Sequence, residues 1–386
     1  MSDKQRIFTS ILFALFISSG IIKGVMTGII NLPIDITIVF ALLTVLSGIN
    51  YIPYITLKAV DAKVIFIWFL FLCFYLSSAI YSISEIYIKS KILGVGINTL
   101  TIFIALFYRY SLKVFGFTIL VCSIFCSFFY LYQKYALSYA DFSSIYSGMY
   151  LSVAMFLALG MIITNSIVEH KIVFVVSFVL LLLLGGRGPI LFYIVAISIV
   201  HVFSIYSYNL NSIQRLIKLL FFALISLMIL IWISTVNDFV NQQVTHTEER
   251  LSLLVDGDKG SSVNERFKYI ETSVEMINDN TFLGAGLAMF PIIYEDNDSR
   301  GYPHNIILEL WSETGLFSTL LLMFFLLYST LFYSPVDNIY RKVYYVCIIF
   351  ILLNLMKSSA FEDVKFLFAA LFVFKPDYLE NIKNEC

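Results

Sequence analysis

The sequence contains little charge. Asp, Glu, Lys and Arg make up 13% of its 386 residues and hydrophobic residues make up 60%, whereas a typical soluble domain has about 25% charged residues. The net charge is −1, so the chain lacks the basic field that attracts nucleic acid, and we expect no nucleic-acid partner. The composition excludes an ordinary soluble domain and predicts a chain that is solvated by membrane lipid.

The sequence also lacks the patterns that hold metals and common cofactors. Its five cysteines form no CxxC pair and have no His or Cys at metal-ligand spacing. There is no Walker motif, GxSxG elbow or HExxH. Asn297-Asp298-Ser299 fits the glycosylation tripeptide, but that pattern is frequent by chance. We therefore predict neither a metal site nor a bound cofactor.

Long apolar runs dominate the sequence. A helix needs about 20 apolar residues to cross a bilayer core, so the runs predict an all-α, polytopic membrane helix bundle of about 12 transmembrane helices. We expect one integral membrane domain over residues 1–386, with one large embedded loop over 237–303 that contains short helices. The predicted spans are 7–22, 32–49, 63–83, 92–108, 114–132, 148–167, 172–185, 189–207, 217–236, 304–333, 343–357 and 364–376.

The distribution of Lys and Arg predicts the orientation of these spans. With the amino terminus in the cytoplasm, thirteen of these cations fall in or beside the cytoplasmic connections, and seven, including Lys91, fall on the opposite side. Cytoplasmic connections carry the excess of Lys and Arg. We therefore expect both termini in the cytoplasm and the long loop on the outer face of the membrane.

The long loop has readable structure. Ser262 and Glu265 fit a capping box, S-x-x-E, which predicts an amphipathic helix over 263–278. Its apolar residues follow at helical spacing and are expected on the buried face: Phe267, Ile270, Val274 and Ile277. Gly284-Ala285-Gly286 comes next, where glycines allow the backbone to approach a partner closely.

Arg187 is the first candidate for binding an anion. It lies in the turn Gly185-Gly186-Arg187-Gly188-Pro189 between two predicted spans, and Pro189 suits the first position of the second span. A guanidinium at the membrane boundary offers a fork of donors to a phosphate or carboxylate. It could equally be an interfacial arginine whose head group reaches water.

Arg266 and His304 are further candidates on the outer side. Arg266 is an early residue of the loop helix, although a lone arginine there is more often simply solvated. In Pro303-His304-Asn305, a proline at the first helical position would place His304 in the first turn of the tenth span. The helix dipole there favours phosphate and a neutral imidazole that accepts a proton near pH 7. Alternatively, His304 anchors the helix at the interface.

Three carboxylates lie in or beside predicted spans. Glu309 and Glu313 are four residues apart on one helical face, and Asp35 is early in the second span. Intramembrane carboxylates usually face a bundle interior or a wet cavity. They could position an acceptor or hold an arginine, and a structural ion pair is an equal alternative.

The order of these motifs resembles the O-antigen ligase and polymerase superfamily. Arg187 lies in a glycine-rich turn, Arg266 on a loop helix before Gly284-Ala285-Gly286, and His304-Asn305 is followed after nine residues by Gly315. Ser318 replaces the last glycine of the family's G-x-x-G. The motifs are most specific between residues 264 and 318.

The resemblance implies a metal-independent glycan transferase, of GT-C-like type and without a cofactor, that acts on undecaprenyl-pyrophosphate-linked glycans as donor and acceptor. It implies that Arg187 and Arg266 bind the pyrophosphate. His304 would take the acceptor proton or donate a hydrogen bond to phosphate. The implied supporting residues are Asn305, Glu309, Glu313, Gly186 and Gly188. Membrane lipid is the other expected partner, and a chain-length regulator protein is a candidate.

Three functions fit these expectations. The first is a Wzy-type polymerase of O-antigen or capsule repeat units, in the bacterial inner membrane. The second is the ligase that transfers finished glycan to lipid A-core, for which the same residues are expected. The third, from a different class, is a flippase or other transporter of lipid-linked glycan. Charged residues inside the spans and a short outer loop would favour the transporter.

Overall fold

The computed structural model describes residues 3–26, 35–49, 58–137, 149–167, 171–205 and 260–375, with isolated positions between 206 and 259. All regular structure in these residues is helical. The helices are α1 (Asp3–Met26), α2 (Ile36–Gly48), α3 (Ala59–Ser77), α4 (Tyr87–Phe107), α5 (Leu112–Ala136), α6 (Met149–Ile167), α7 (Lys171–Leu183), α8 (Arg187–Ile205), α9 (Gly260–Asp279), α10 (Phe290–Glu295), α11 (Ile306–Phe332), α12 (Asn338–Ser358) and α13 (Lys365–Val373). A 3-10 helix, Phe361–Asp363, precedes α13.

The helices give the chain the character of a membrane protein. In the described part, α1, α3, α4, α5 and α11 are long and apolar enough to cross a bilayer, and α2 and the apolar stretches of α6, α7 and α8 are shorter. Helices overlap eleven of the twelve predicted spans, and the other, 217–236, lies mostly outside the described residues. The prediction of a helical membrane protein is therefore confirmed, and the number of spans stays a prediction.

The chain divides into two compact units. The first consists of Met1–Asn50, Arg109–Gly257 and Asp337–Phe350. In it, α5 packs on α1 and α6, with small residues at the contact with α6. A Cβ on Gly160 would lie 2.8 Å from the Leu120 Cα, and one on Gly116 would lie 2.3 Å from a methyl of Ile163. Such small residues let membrane helices pack closely.

The second unit consists of Tyr51–Tyr108, Asp258–Val336 and Ile351–Cys386. Its core is aromatic. The Trp68 ring lies 5.1 Å from that of Phe325 and 5.0 Å from that of Phe368. The indole N–H of Trp68 donates to the Thr99 hydroxyl at 3.1 Å. Trp68 therefore joins α3 to α4, α11 and α13, with its polar atom paired as a buried indole requires.

The second unit has two polar ends. At one end Asp61, which begins α3, accepts from the Tyr333 hydroxyl at 2.5 Å and lies 3.0 Å from the Lys375 Nζ. At the other end, the turn after α3 bonds to the segment before α10: the Leu287 N–H donates to the Ser78 carbonyl at 3.2 Å. Because α11 runs from one end to the other, its first residues lie at the second end.

The glycine segment that precedes α10 hydrogen-bonds to α11 at a kink in that helix. Gly315 has φ 82° and ψ 176°, which interrupts the helix. The Ser312 and Glu313 carbonyls therefore accept from the Ala285 and Gly286 N–H groups, at 2.8 and 3.0 Å. A Cβ on Gly315 would lie 2.2 Å from the Phe282 carbonyl oxygen. The expected close approach at Gly284-Ala285-Gly286 is thus made against the broken helix.

We predict that Gly315→Ala destabilises the protein by about 2 kcal/mol or more, because the new Cβ meets backbone at a positive φ. The measurement is the unfolding temperature of the purified protein in detergent. Gly96→Ala is the matched control, since a Cβ there meets nothing within 4 Å. An equal unfolding temperature for both variants would contradict this account of the kink.

Candidate functional site

His304 lies directly before α11 and outside it. The helix begins at Ile306, and Asn305 is its N-cap: its side-chain oxygen accepts from the Ile307 and Leu308 N–H groups at 3.0 and 3.2 Å. His304 has φ 58°. The prediction that Pro303 begins the helix with His304 in its first turn was wrong, because a left-handed residue cannot continue a helix and asparagine is a strong N-cap.

The His304 imidazole is held among aromatic rings. Its centroid lies 4.5 Å from that of Tyr302 and 5.5 Å from that of Tyr269. Its Nδ1 is buried and has no hydrogen-bond partner among the described residues. Burial, and then the positive charge of Arg266, lower the pKa of His304 to about 4. The imidazole is neutral at pH 7, but through burial and Arg266 rather than through the helix dipole that the sequence indicated.

Arg266 lies on α9, which begins earlier than predicted. The helix starts at Gly260, so Ser262 lies inside it and is not its N-cap. Helical hydrogen bonding has already begun there. The Ser262 side chain lies outside the described residues. Arg266 is half-buried, and its charge acts on His304. The second unit therefore contains the expected catalytic residue, His304, and one of the two expected pyrophosphate-binding residues, Arg266.

The apolar face of α9 is not the face that packs on the protein. Phe267, Ile270 and Val274 are exposed, and of the predicted buried face only Ile277 is buried. Instead the Tyr269 ring packs at 4.8 Å from that of Tyr294 on α10. Helical periodicity locates an apolar face but does not tell whether protein or lipid covers it, which is why the prediction was wrong.

Arg187 belongs to the first unit. It is the first residue of α8, so Pro189 lies two residues inside the helix instead of beginning it. Gly186 and Gly188 are buried, and a Cβ on Gly186 would lie 3.1 Å from that of Ala154. The Arg187 side chain lies outside the described residues. Its role in binding an anion remains a sequence-based prediction.

Glu309 and Glu313 share a lysine. The Lys91 Nζ lies 2.7 Å from the Glu309 Oε1 and 2.6 Å from the Glu313 Oε2, and all three side chains are at most 2% exposed. The partner is therefore a lysine on α4 rather than an arginine. Sequence placed Lys91 in an outer connection, but α4 begins at Tyr87 and encloses it. Such a triad persists because each buried charge is paired.

The two carboxylates also hold neighbouring loops. Glu313 accepts from the Ala288 and Phe290 N–H groups at 3.0 and 3.3 Å. Glu309 accepts from the Phe361 N–H at 2.9 Å. The sequence left open whether these carboxylates position a substrate or make a structural ion pair. Their bonds to Lys91 and to loop N–H groups favour the structural role. The triad fixes the loops on either side of His304.

The third carboxylate is an N-cap. Asp35 precedes α2, and its side chain accepts from the Thr37 N–H at 2.8 Å. The Lys23 Nζ lies 2.5 Å from its other oxygen. Asp35 therefore lies at the helix start, with a partner at the end of α1, instead of inside the second span as the sequence suggested.

A charged cluster beside His304 escaped the sequence analysis. The Arg300 Nε lies 3.1 Å from the Glu362 Oε1, and its terminal nitrogen pairs with Asp363. The Arg300 guanidinium lies 5.8 Å from the Tyr302 ring centroid, and Tyr302 contacts His304. No local sequence motif indicates this cluster, because it joins residues about sixty positions apart.

Asp298 was also missed, although the sequence analysis had noted the tripeptide Asn297-Asp298-Ser299 that contains it. It accepts from the Ser84 hydroxyl at 2.7 Å and from the Glu85, Ile86 and Tyr87 N–H groups. The Ser84 bond, aided by the three N–H donors, lowers the pKa of Asp298 to about 2. Asp298, the middle residue of the tripeptide that fits the glycosylation pattern, therefore fixes the turn before α4.

These features define a helical membrane protein whose loops hold a neutral histidine and an arginine at one end of a bundle. Among the described residues, no three His, Cys, Asp or Glu side chains are grouped to hold a metal. The sequence model of a family described as O-antigen ligase matches residues 172–323. That segment contains Arg187, Arg266 and His304, and over these residues the match confirms the predicted resemblance to the O-antigen ligase and polymerase superfamily. No curated protein matches the chain.

We predict that Lys91→Met destabilises the protein by about 3–5 kcal/mol, because it leaves two buried carboxylates without their counter-charge. Unfolding in detergent is the measurement. Lys23→Met is the matched control, since Lys23 and Asp35 form a partly exposed pair whose loss costs about 1 kcal/mol or less. Adding Glu309→Gln to Lys91→Met should recover part of the loss. Equal effects of Lys23→Met and Lys91→Met would refute the triad's structural role.

Proposed function

We propose that the protein is a polymerase of surface polysaccharide. It joins undecaprenyl-pyrophosphate-linked repeat units of an O-antigen or capsule on the periplasmic face of the bacterial inner membrane, as a metal-independent, GT-C-like glycosyltransferase. The observation that carries this proposal is a buried His304 near enough to Arg266 for that charge to lower its pKa, within the segment that matches the family described as O-antigen ligase.

The chemistry required is modest. The donor sugar already carries a pyrophosphate leaving group, so the enzyme must stabilise departing negative charge and activate an acceptor hydroxyl. Arg266 supplies a guanidinium for the diphosphate, and Arg187 is assigned the same role on sequence grounds alone. A neutral imidazole at His304 either takes the acceptor proton or donates a hydrogen bond to phosphate.

The supporting residues hold this machinery. Asn305, the residue that follows His304, is held in place because its side chain caps α11. Glu309 and Glu313 anchor the adjoining loops. Gly186 packs against Ala154 at the start of α8, where Gly188 is also buried. Both termini in the cytoplasm, a periplasmic loop over 237–303 and a chain-length regulator as partner complete the proposal.

The second candidate function is the ligase that moves finished glycan to lipid A-core. The description of the matched family, O-antigen ligase, favours it. Donor and leaving group are the same for both enzymes, and only the acceptor differs. The residues of the site therefore do not separate ligase from polymerase.

Deleting the gene separates the two functions. For a polymerase we expect a single repeat unit attached to lipid A-core, because ligation continues without chain growth. Lipopolysaccharide electrophoresis and analysis of lipid-linked intermediates are the measurements. Loss of all repeats from the core, with lipid-linked polymer retained, would instead establish the ligase. Accumulation of precursor on the cytoplasmic face would indicate a flippase and overturn both assignments.

In the complemented deletion strain, we predict that His304→Ala, Arg266→Ala and Arg187→Ala abolish long chains at normal protein levels, because each removes a group that contacts the diphosphate or the reacting hydroxyl. Chain length and the amount of protein in the membrane are the measurements. Lys268→Ala is the matched control: Lys268 lies two residues from Arg266 and is exposed. Wild-type chain lengths in the His304 and Arg266 variants would refute these roles.

A further inference from the structure

Glu362 has a buried carboxylate oxygen that has no partner among the described residues. Its side chain is 8% exposed. The Oε1 lies 3.1 Å from the Arg300 Nε and 3.4 Å from the Tyr87 hydroxyl. The Oε2 is buried and makes no hydrogen bond among the described residues. Burying an acceptor without a donor is costly, so such an atom in a folded protein calls for an explanation.

The fold holds this carboxylate in place through the residue before it. The Phe361 N–H donates to Glu309, and the Phe361 carbonyl accepts from the Asn98 side chain at 3.0 Å. Gly94 makes room on α4, since a Cβ there would lie 2.4 Å from the Glu362 Cβ. Two contacts from α4 and one from α11 therefore position Glu362, whose Oε2 has no partner among the described residues. A built position with an unused acceptor is typical of a functional group.

Glu362 and His304 lie on either side of one short chain of contacts. Arg300 binds Glu362 and lies over the Tyr302 ring, and that ring contacts His304. Both end residues have a buried polar atom that is unpartnered within the described part of the chain, His304 Nδ1 and Glu362 Oε2. A substrate hydroxyl and a diphosphate both need partners of this kind. The second unit thus offers two separate polar groups for one transfer reaction.

We propose that Glu362 is the catalytic base of the glycan transfer, and that His304 serves the diphosphate as a hydrogen-bond donor. This assignment rests on the proposed function, which left two roles open for His304. It gives the proton-accepting role to Glu362 and the hydrogen bond to phosphate to His304. The acceptor oxygen forms a bond to the anomeric carbon, and the bond from that carbon to the diphosphate oxygen breaks. The electron pair leaves with the diphosphate, and the hydroxyl proton passes to the Glu362 Oε2.

The proton affinities of the two groups agree with this division. Burial, and then the neighbouring charge of Asp363, raise the pKa of Glu362 to about 7, and the Arg300 charge opposes that rise. Burial and Arg266 lower the pKa of His304 to about 4. A general base works best with a pKa near the operating pH. Without substrate Glu362 meets that condition, whereas the pKa of His304 lies well below it.

The test is the pH profile of polymerisation by the purified full-length protein with lipid-linked repeat units from the deletion strain. A base must be deprotonated, so we expect activity to fall as the pH drops through about 7. We expect Glu362→Gln to lower the rate roughly 100-fold or more and to abolish this acidic limb. Glu362→Asp should be more active than Glu362→Gln, and its pH profile should again show a fall in activity on the acidic side.

Asp363→Asn provides an independent readout that does not require removing Glu362. Asp363 is half-exposed and its charge raises the pKa of Glu362, so its loss should move the acidic limb to lower pH in an active enzyme. A wild-type limb near pH 4, or a limb near 7 that persists in Glu362→Gln, would overturn the assignment to Glu362. An unmoved limb in Asp363→Asn would overturn it as well.

Failure of the proposed function gives a different result. The wild-type protein would then form no polymer from lipid-linked repeats at any pH, and the pH profile could not arise. Glu362→Gln keeps an oxygen for Arg300 and has nearly the same shape, so its unfolding temperature should match the wild type. If that variant does not fold, the Asp363→Asn shift alone decides the assignment.

Discussion

The buried ion triad of Lys91, Glu309 and Glu313 is the interaction on which the rest of the second unit depends. In a membrane bundle, water cannot compensate an unpaired charge, so the three groups must remain together. Each carboxylate has a second oxygen or lone pair, and these accept the backbone N–H groups of Ala288, Phe290 and Phe361. This one ion cluster therefore fixes the segments that lead to His304 and Glu362.

Most of the helices could be predicted from the sequence, because a run of apolar residues is a local property that the bilayer thickness converts into a helix. Features set by contacts between distant residues could not. Lys91 resembled a loop cation because a lysine interrupts an apolar run, yet α4 begins four residues before it. The face of α9 that packs on the protein was likewise set by Tyr269 meeting α10, and the exposed Phe267 gave no sign of this.

The candidate site was predictable where it rests on single residues in short motifs, as for His304 and Arg266. It was not predictable where it rests on pairing. Arg300 and Glu362 carry no local signature, and their contact appears only once the loops before α11 and after α12 have met. Asn305 was part of the motif, but its role was mistaken. Pro303 suggested a helix start, whereas the carboxamide of Asn305 made the better cap.

Burial acts on the two titratable groups of the site in opposite directions, since it always disfavours the charged form. It lowers the pKa of His304 to about 4 and raises that of Glu362 to about 7, so at pH 7 the imidazole is neutral and the carboxyl group titrates. A diphosphate placed beside His304 would raise the pKa of the imidazole, because negative charge favours imidazolium. The substrate itself would then strengthen the hydrogen bond to its leaving group, while the carboxylate on the far side of Tyr302 stays available for a proton. For His304 to accept the acceptor's proton instead, its imidazole would have to stay neutral after the diphosphate had bound beside it. The negative charge of the diphosphate opposes that, because it favours the imidazolium form.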